Sequence, residues 1–226
     1  MQNLDVTTAA GRTAARRPRN RRGQGARLTE DIVTGALALI ERTGSAEAVT
    51  LRAVAREVGI AAPSIYPHFA DREAIMAAVV ARVFDELAAA IKAATAAAGP
   101  DPVDRLAAGC AGYVDFGLSQ PARYGVLFTG RWGPAAQYCQ PVALGPDGRP
   151  VLEWGAEAFS LLLHGIQECV MAGRSASTDV MADATAVWVA LHGTVTLRTT
   201  LPGFPWPALA PLLRHQVLAL ARVSAR

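Results

Sequence analysis

The 226-residue chain reads as an all-α protein, and three observations carry that reading. Apolar residues recur at helical spacing through most of the chain after Leu28. β-Branched residues fall inside those helical patterns and not in alternating runs, so no strand is expected. The composition, 51% hydrophobic and 18% charged, supplies a real core and excludes disorder of the whole chain.

Residues 1–25 form an arm of Arg, Gly, Pro, Asn and Gln with almost no apolar side chain after Val6, and read as disordered. Seven arginines (Arg12, Arg16, Arg17, Arg19, Arg21, Arg22 and Arg27) against Asp5 give residues 1–27 a net charge of +6. Residues 28–70, with three arginines and five acids, carry −2, and the remainder carries −1. Positive charge concentrated in one arm suits a polyanion such as DNA, although a solvated tail without a ligand has the same composition. The arm has no apolar segment of the kind a secretory signal needs. The longest charge-free stretches, 132–146 and 199–213, are broken by prolines and fall short of the ~20 residues of a bilayer span, so no transmembrane helix and no membrane partner are expected. Cys110, Cys139 and Cys169 are too scattered for a disulfide framework or a structural zinc site and fit a reduced, cytoplasmic protein.

The first helix starts near Leu28, with Thr29 as its N-cap and Glu30 and Asp31 in the first turn; Gly44 stops it. Thr50 caps a second, short helix that buries Leu51, Val54, Ala55 and Val58 and ends at Gly59. After a turn at Ile60 and Ala61, a third helix is expected from Ala62 to Phe69, with Pro63 in its first turn. Asp71 caps a long helix over 71–97, whose stripe is Ile75, Val79, Val83, Leu87 and Ile91. Further helices are expected near 102–118, 121–130, 150–172, 178–200 and 206–222, with a Gly- and Pro-rich loop at 131–149.

Two short helices joined by a tight turn have the spacing of a helix-turn-helix, though a plain helical hairpin has the same spacing. Residues 51–84 resemble the DNA-binding domain of TetR-family transcriptional regulators. The match rests on Ala55, Gly59 and Ile60 in the turn, Ile65-Tyr66-Pro67-His68-Phe69 after it, then Asp71, Arg72 and Glu73, and it extends back to Thr29. Where the family often has Ser or Thr, this chain has Ala61, and Pro67 stands where a larger polar or aromatic residue is common. Pro67 cannot donate to the carbonyl of Pro63, so the third helix is expected to be short and stiff.

The resemblance implies an arm over 1–25, a three-helix DNA-binding domain over 26–72, and a helical ligand-binding and dimerisation domain over 73–226. It implies a homodimer on a palindromic operator in double-stranded DNA, most often a repressor released by a small molecule, and no cofactor. Candidate DNA contacts are Arg27 and Thr29 at the first helix, and Thr50 and Arg52 holding phosphate at the second. Ala62, Pro63, Ser64, Tyr66, Pro67 and His68 make the outward face of the third helix. Tyr66 and His68 are expected on phosphates and Ser64 at base edges, while Arg72 matches the family's basic phosphate contact.

In the C-terminal part, Trp188, His192 and Gly193 resemble the W-H-G signature of one TetR class, and residues 121–128 also look like that class. The last two helices are apolar on more than one side and so need more than one partner surface; the resemblance implies pairing with a second copy, although burial within one subunit has the same pattern. Pocket candidates are the aromatic or polar groups on apolar helices: Tyr113, Phe116, Tyr124, Phe128, Trp132, Phe159, Leu163, His164, Gln167, Met171, Trp188 and His192. Such a cavity suits a mostly hydrophobic ligand. An enzyme is disfavoured: no nucleophile-elbow, zinc-protease or P-loop motif is present, and His164 and Cys169 diverge by about 140° on a helix. An interaction module that has lost DNA binding is the remaining alternative.

Overall fold

The computed structural model describes residues 25–128 and 155–224. Among these residues there are eight α-helices and two 3-10 turns, and the only β-type pairing is an isolated bridge between Ser175 and Val223. The arm and the 131–149 loop lie outside the described residues.

Helix α1 (Gly25–Thr43) begins four residues before the expected cap. Thr29 therefore sits inside the helix, where its hydroxyl donates to the Gly25 carbonyl at 3.2 Å. The inward stripe Leu28, Ile32, Val33, Ala36, Leu39 and Ile40 is buried, and Gly44, at φ +69°, ends the helix. Ser45 caps the 3-10 turn Ala46–Ala48. Thr50 caps α2 (Leu51–Val58) by accepting from the Ala53 N–H at 3.1 Å, and Gly59 closes it at φ 73°, a conformation only glycine adopts without cost. The two helices pack so closely that a Cβ on Gly35 would lie 2.7 Å from Val58.

The third element departs from expectation. Only Ala62–Ser64 forms a 3-10 turn, and 65–68 continues as turns and not as an α-helix. The cause is chemical: neither Pro63 nor Pro67 has an N–H, so the segment keeps i→i+3 bonds from Ser64 to Ala61 (2.8 Å), Ile65 to Ala62 (3.1 Å) and His68 to Ile65 (2.8 Å).

Asp71 caps α3 (Arg72–Ala97) through the Ala74 N–H at 2.8 Å. At 26 residues α3 spans ~39 Å and packs against both α1 and the C-terminal bundle. That bundle comprises α4 (Pro102–Ser119), α5 (Pro121–Phe128), α6 (Ala156–Met171), α7 (Val180–Thr200) and α8 (Leu209–Leu220). α4 lies at its centre because its glycines admit neighbours: a Cβ on Gly112 would be 2.8 Å from Ala94 of α3, and one on Gly117 would be 2.6 Å from Val195 of α7. By length and composition alone, α7 is long and apolar enough to cross a membrane. Here it packs instead against α4, α6 and α8, with Val187, Leu191 and Val195 buried. Its outer face is apolar and exposed at Val189 and Leu197, continuing into Leu201 and Phe204.

Candidate nucleic-acid interface and interior cavity

Burial divides the 62–69 segment cleanly. Ile65 and Phe69 are buried and anchor it, whereas Pro63, Ser64, Tyr66 (61% exposed) and Pro67 face outward and Ala62 is half-buried. His68 is half-buried, with Nδ1 3.0 Å from the Thr29 hydroxyl. That bond ties the outward segment to α1. Arg72 also has an inward task. Its Nε donates to the Val49 carbonyl at 2.5 Å and its Nη2 to the Ala46 carbonyl at 2.8 Å, so it holds the start of α3 to the turn before α2. It thus departs from the outward phosphate contact that the resemblance implies. Thr50, Arg52 and Arg27 are exposed.

A cavity of about 480 Å³ lies inside the bundle, walled by α3, α4, α5, α6 and α7. One end is aromatic, with Phe84, Tyr113, Phe128, Phe159 and Trp188; the middle is aliphatic, with Leu87, Ile91, Leu106, Leu162 and Leu191. The other end carries Thr95, Arg105 and Glu168. Four of the expected pocket residues, Tyr113, Phe128, Phe159 and Trp188, line it.

Tyr124 sits one hydrogen bond behind the wall and His192 two. The Tyr113 and Tyr124 hydroxyls are 2.8 Å apart, Tyr124 Oη is 2.8 Å from His192 Nδ1, and His192 Nε2 is 3.4 Å from the Thr196 hydroxyl. Burial pushes the Tyr113 hydroxyl up to about 12 and raises that of Tyr124 further, while it lowers the His192 imidazole. Near neutral pH the relay is therefore two protonated phenols and a neutral imidazole. The Phe128 ring, 4.4 Å from His192, covers it.

The remaining expectations fall elsewhere. Phe116 is buried in the core but not at the cavity, and Leu163 is half-buried beside it. His164, Gln167 and Met171 are exposed, Met171 by 79%, and do not meet the cavity. At i, i+3 and i+7 they share the outer stripe of α6, away from the cavity-lining Ala158, Leu162 and Gly165. Trp132 lies outside the described residues. The sequence reading missed the α3 wall and Arg105, whose signal is a lone charge on an otherwise apolar helical face.

Ion pairs join the cavity wall to the N-terminal helices. Arg123 of α5, one turn before Leu127, donates to Glu41 of α1 and to Glu86 of α3, both at 2.5 Å. Arg82 of α3 pairs with Glu86 at 3.1 Å and with Glu30 of α1. Among the described residues no group of His, Cys, Asp and Glu could hold a metal ion. Cys110 is buried at the cavity wall, and burial pushes its thiol up to about 12, which makes it a poor nucleophile.

An outward turn braced by α1 and the short α2, joined by a continuous helix to a bundle with an apolar cavity, has the architecture of a helix-turn-helix transcriptional regulator. Residues 32–79 match the model of the bacterial regulatory proteins of the tetR family, and residues 106–220, just over half of the chain, match the tetracyclin repressor-like C-terminal domain. The chain belongs to the TetR family and is a DNA-binding transcriptional regulator.

No match was found among curated proteins. Among solved structures, the fatty acid degradation regulator FadR from Bacillus halodurans is similar over 90% of this chain and 97% of its own, with 14% identity and a TM-score of 0.65. A protein of unknown function from Rhodococcus sp. RHA1 is similar over 86% and 91%, at 23% identity and 0.64. The TetR-family regulator PfmR from Thermus thermophilus is similar over 86% and 99%, at 21% and 0.57. At these identities the likeness is one of fold.

Proposed function

We propose that this regulator is a homodimeric repressor, released from a palindromic operator when a small, mostly hydrophobic molecule fills the cavity. In this reading residues 26–72 are the reader and 73–226 the sensing and pairing part. One observation supports it above the rest. The cavity wall reaches the reader through two rigid routes, the body of α3 and the Arg123 bridge to Glu41 and Glu86. A ligand that moves α5 or α3 therefore moves the reader, and so changes the separation of two readers in a dimer.

The exposed face of Val189, Leu197, Leu201 and Phe204 is the natural pairing surface, since a contiguous apolar face left in water is costly. Each reader would offer Ser64 and Tyr66 to the groove, Thr50 and Arg52 to phosphates, and the arginine arm to the adjacent groove or backbone. With few side chains able to read bases, much of the specificity falls to DNA shape. Such a protein acts where the chromosome is, in the cytoplasm.

A gel shift with the DNA upstream of its own gene, together with sedimentation of the free protein, tests this reading. A dimer that retards that DNA, and is released by a cavity-filling compound, supports it. A protein that binds no DNA across low to moderate salt would instead be an interaction module that kept the fold.

A further inference from the structure

Among the described residues, the hydroxyl and charged side chains of the cavity wall, Tyr113 apart, gather at one end. Thr95 and Glu168 lie in the last turns of α3 and α6, Arg105 in the first turn of α4 and Thr185 in the second turn of α7. With Met181 they form a rim that meets water: Met181 is 51% exposed, Thr185 and Glu168 are exposed, and Thr95 and Arg105 are half-buried. At the inner end Tyr113, Leu127 and Leu191 are buried, and the Tyr113 hydroxyl is already bonded to Tyr124. Wall residues run ~16 Å along α3, from Phe84 to Thr95, and ~12 Å along α4, from Arg105 to Tyr113. About 480 Å³ drawn out over that length is a slot, not a sphere.

The two ends favour different parts of a ligand. A polar group carried to the inner end gives up its water among apolar side chains, which weakens binding. At the rim the same group keeps its water and loses nothing. Arg105 and Glu168, 3.7 Å apart and both partly in solvent, balance each other, so the rim does not select the charge of what stands there. We infer that the cavity admits a single-headed amphiphile seated tail first. A straight apolar chain of about ten to twelve carbons reaches Tyr113 and Leu127, and its polar head stays in water between Met181 and Thr185. This rests on the reading of the cavity as an effector site, and adds the chemical class and the orientation of what it holds.

Calorimetry at moderate salt, below the micelle concentration of each probe, tests it. The probes are 1-alkanols of rising length, 1,10-decanediol, decanoate, decyltrimethylammonium and, as a headless reporter of the cavity, hexylbenzene. Alkanol affinity should rise about fourfold per methylene and stop rising near about twelve carbons. 1-Decanol, decanoate and decyltrimethylammonium should bind within about fivefold of one another, because their heads stay in water. 1,10-Decanediol, which must bury one hydroxyl, should bind about tenfold or more weakly than 1-decanol. Leu127→Ala, at the inner end, should lengthen the best chain by about two carbons, whereas Met181→Ala, at the rim, should leave it unchanged. A diol as tight as the alcohol, or a preference for one head beyond about tenfold, overturns the inference, while hexylbenzene binding keeps the cavity reading standing. A length limit that moves with Met181→Ala and not with Leu127→Ala overturns the orientation. Failure of the alkanols and hexylbenzene alike to bind removes the effector-cavity reading and this inference together.

Discussion

Tyr124 is the most connected side chain of the sensing part, bonded to Tyr113 on α4 and to His192 on α7. Tyr124→Phe keeps the ring packing with Phe128 and Tyr113 but takes a hydrogen-bond partner from the buried Tyr113 hydroxyl and from the half-buried His192. It should cost about 1–3 kcal/mol, read as a lower urea midpoint with an unchanged slope. His192 makes the same relay sensitive to pH. Burial lowers its folded-state pKa, so the unfolded chain takes up a proton first as pH falls. The stability that the neutral imidazole contributes is full above the ordinary histidine value of about 6.5 and declines as pH drops below it. Unfolding measured between neutral and mildly acid pH should show that decline, and His192→Gln should flatten it; an equal slope in both proteins would place the acid sensitivity elsewhere.

Among the elements, α4 depends most on what it lacks. A Cβ at Gly117 would lie 2.6 and 2.9 Å from the two methyl carbons of Val195 and 3.0 Å from the Tyr124 ring. Gly117→Ala should therefore destabilise the bundle by about 1–3 kcal/mol, despite the better helix propensity of alanine, and thermal unfolding would register it. α5 is the second of the two elements proposed to tie cavity to reader. Arg123→Met should leave hexylbenzene affinity unchanged while altering DNA affinity measured in the same preparation; unchanged DNA binding with and without a cavity ligand would remove α5 from the path.

The helices themselves were legible in the sequence because their apolar stripes, caps and stop glycines agree: Thr50, Gly59 and Asp71 all do what their positions predict. The errors have local causes. Two prolines within five residues turned an expected helix into 3-10 turns. A single-sequence reading also cannot tell which side of α6 faces in when both sides carry Phe, Leu or Met. Arg72 illustrates a third limit: its residue type suits phosphate, and only the fold brings the Val49 and Ala46 carbonyls to it.

For the whole molecule, assembly and charge are the properties to measure. Leu197→Glu puts a carboxylate on the exposed apolar face of α7. It should yield a folded monomer by sedimentation, with DNA binding lost; a dimer of normal affinity would place the interface on another surface. Deleting residues 1–25 removes six of the seven arginines of the arm and should lower DNA affinity and flatten its dependence on salt. An unchanged salt slope would leave the arm without a part in binding.

α3 runs unbroken from Arg72 to Ala97, with no proline to kink it, and on the proposed reading it would act as a lever. Over its ~39 Å, a rotation of about 3° carries its far tip some 2 Å, roughly the difference between a phosphate contact made and one missed. On the proposed reading, a slight swelling of the cavity would be geared up before it arrived at the duplex, and the tightness of that gearing, more than the grip on any one compound, would set how sharply transcription responds.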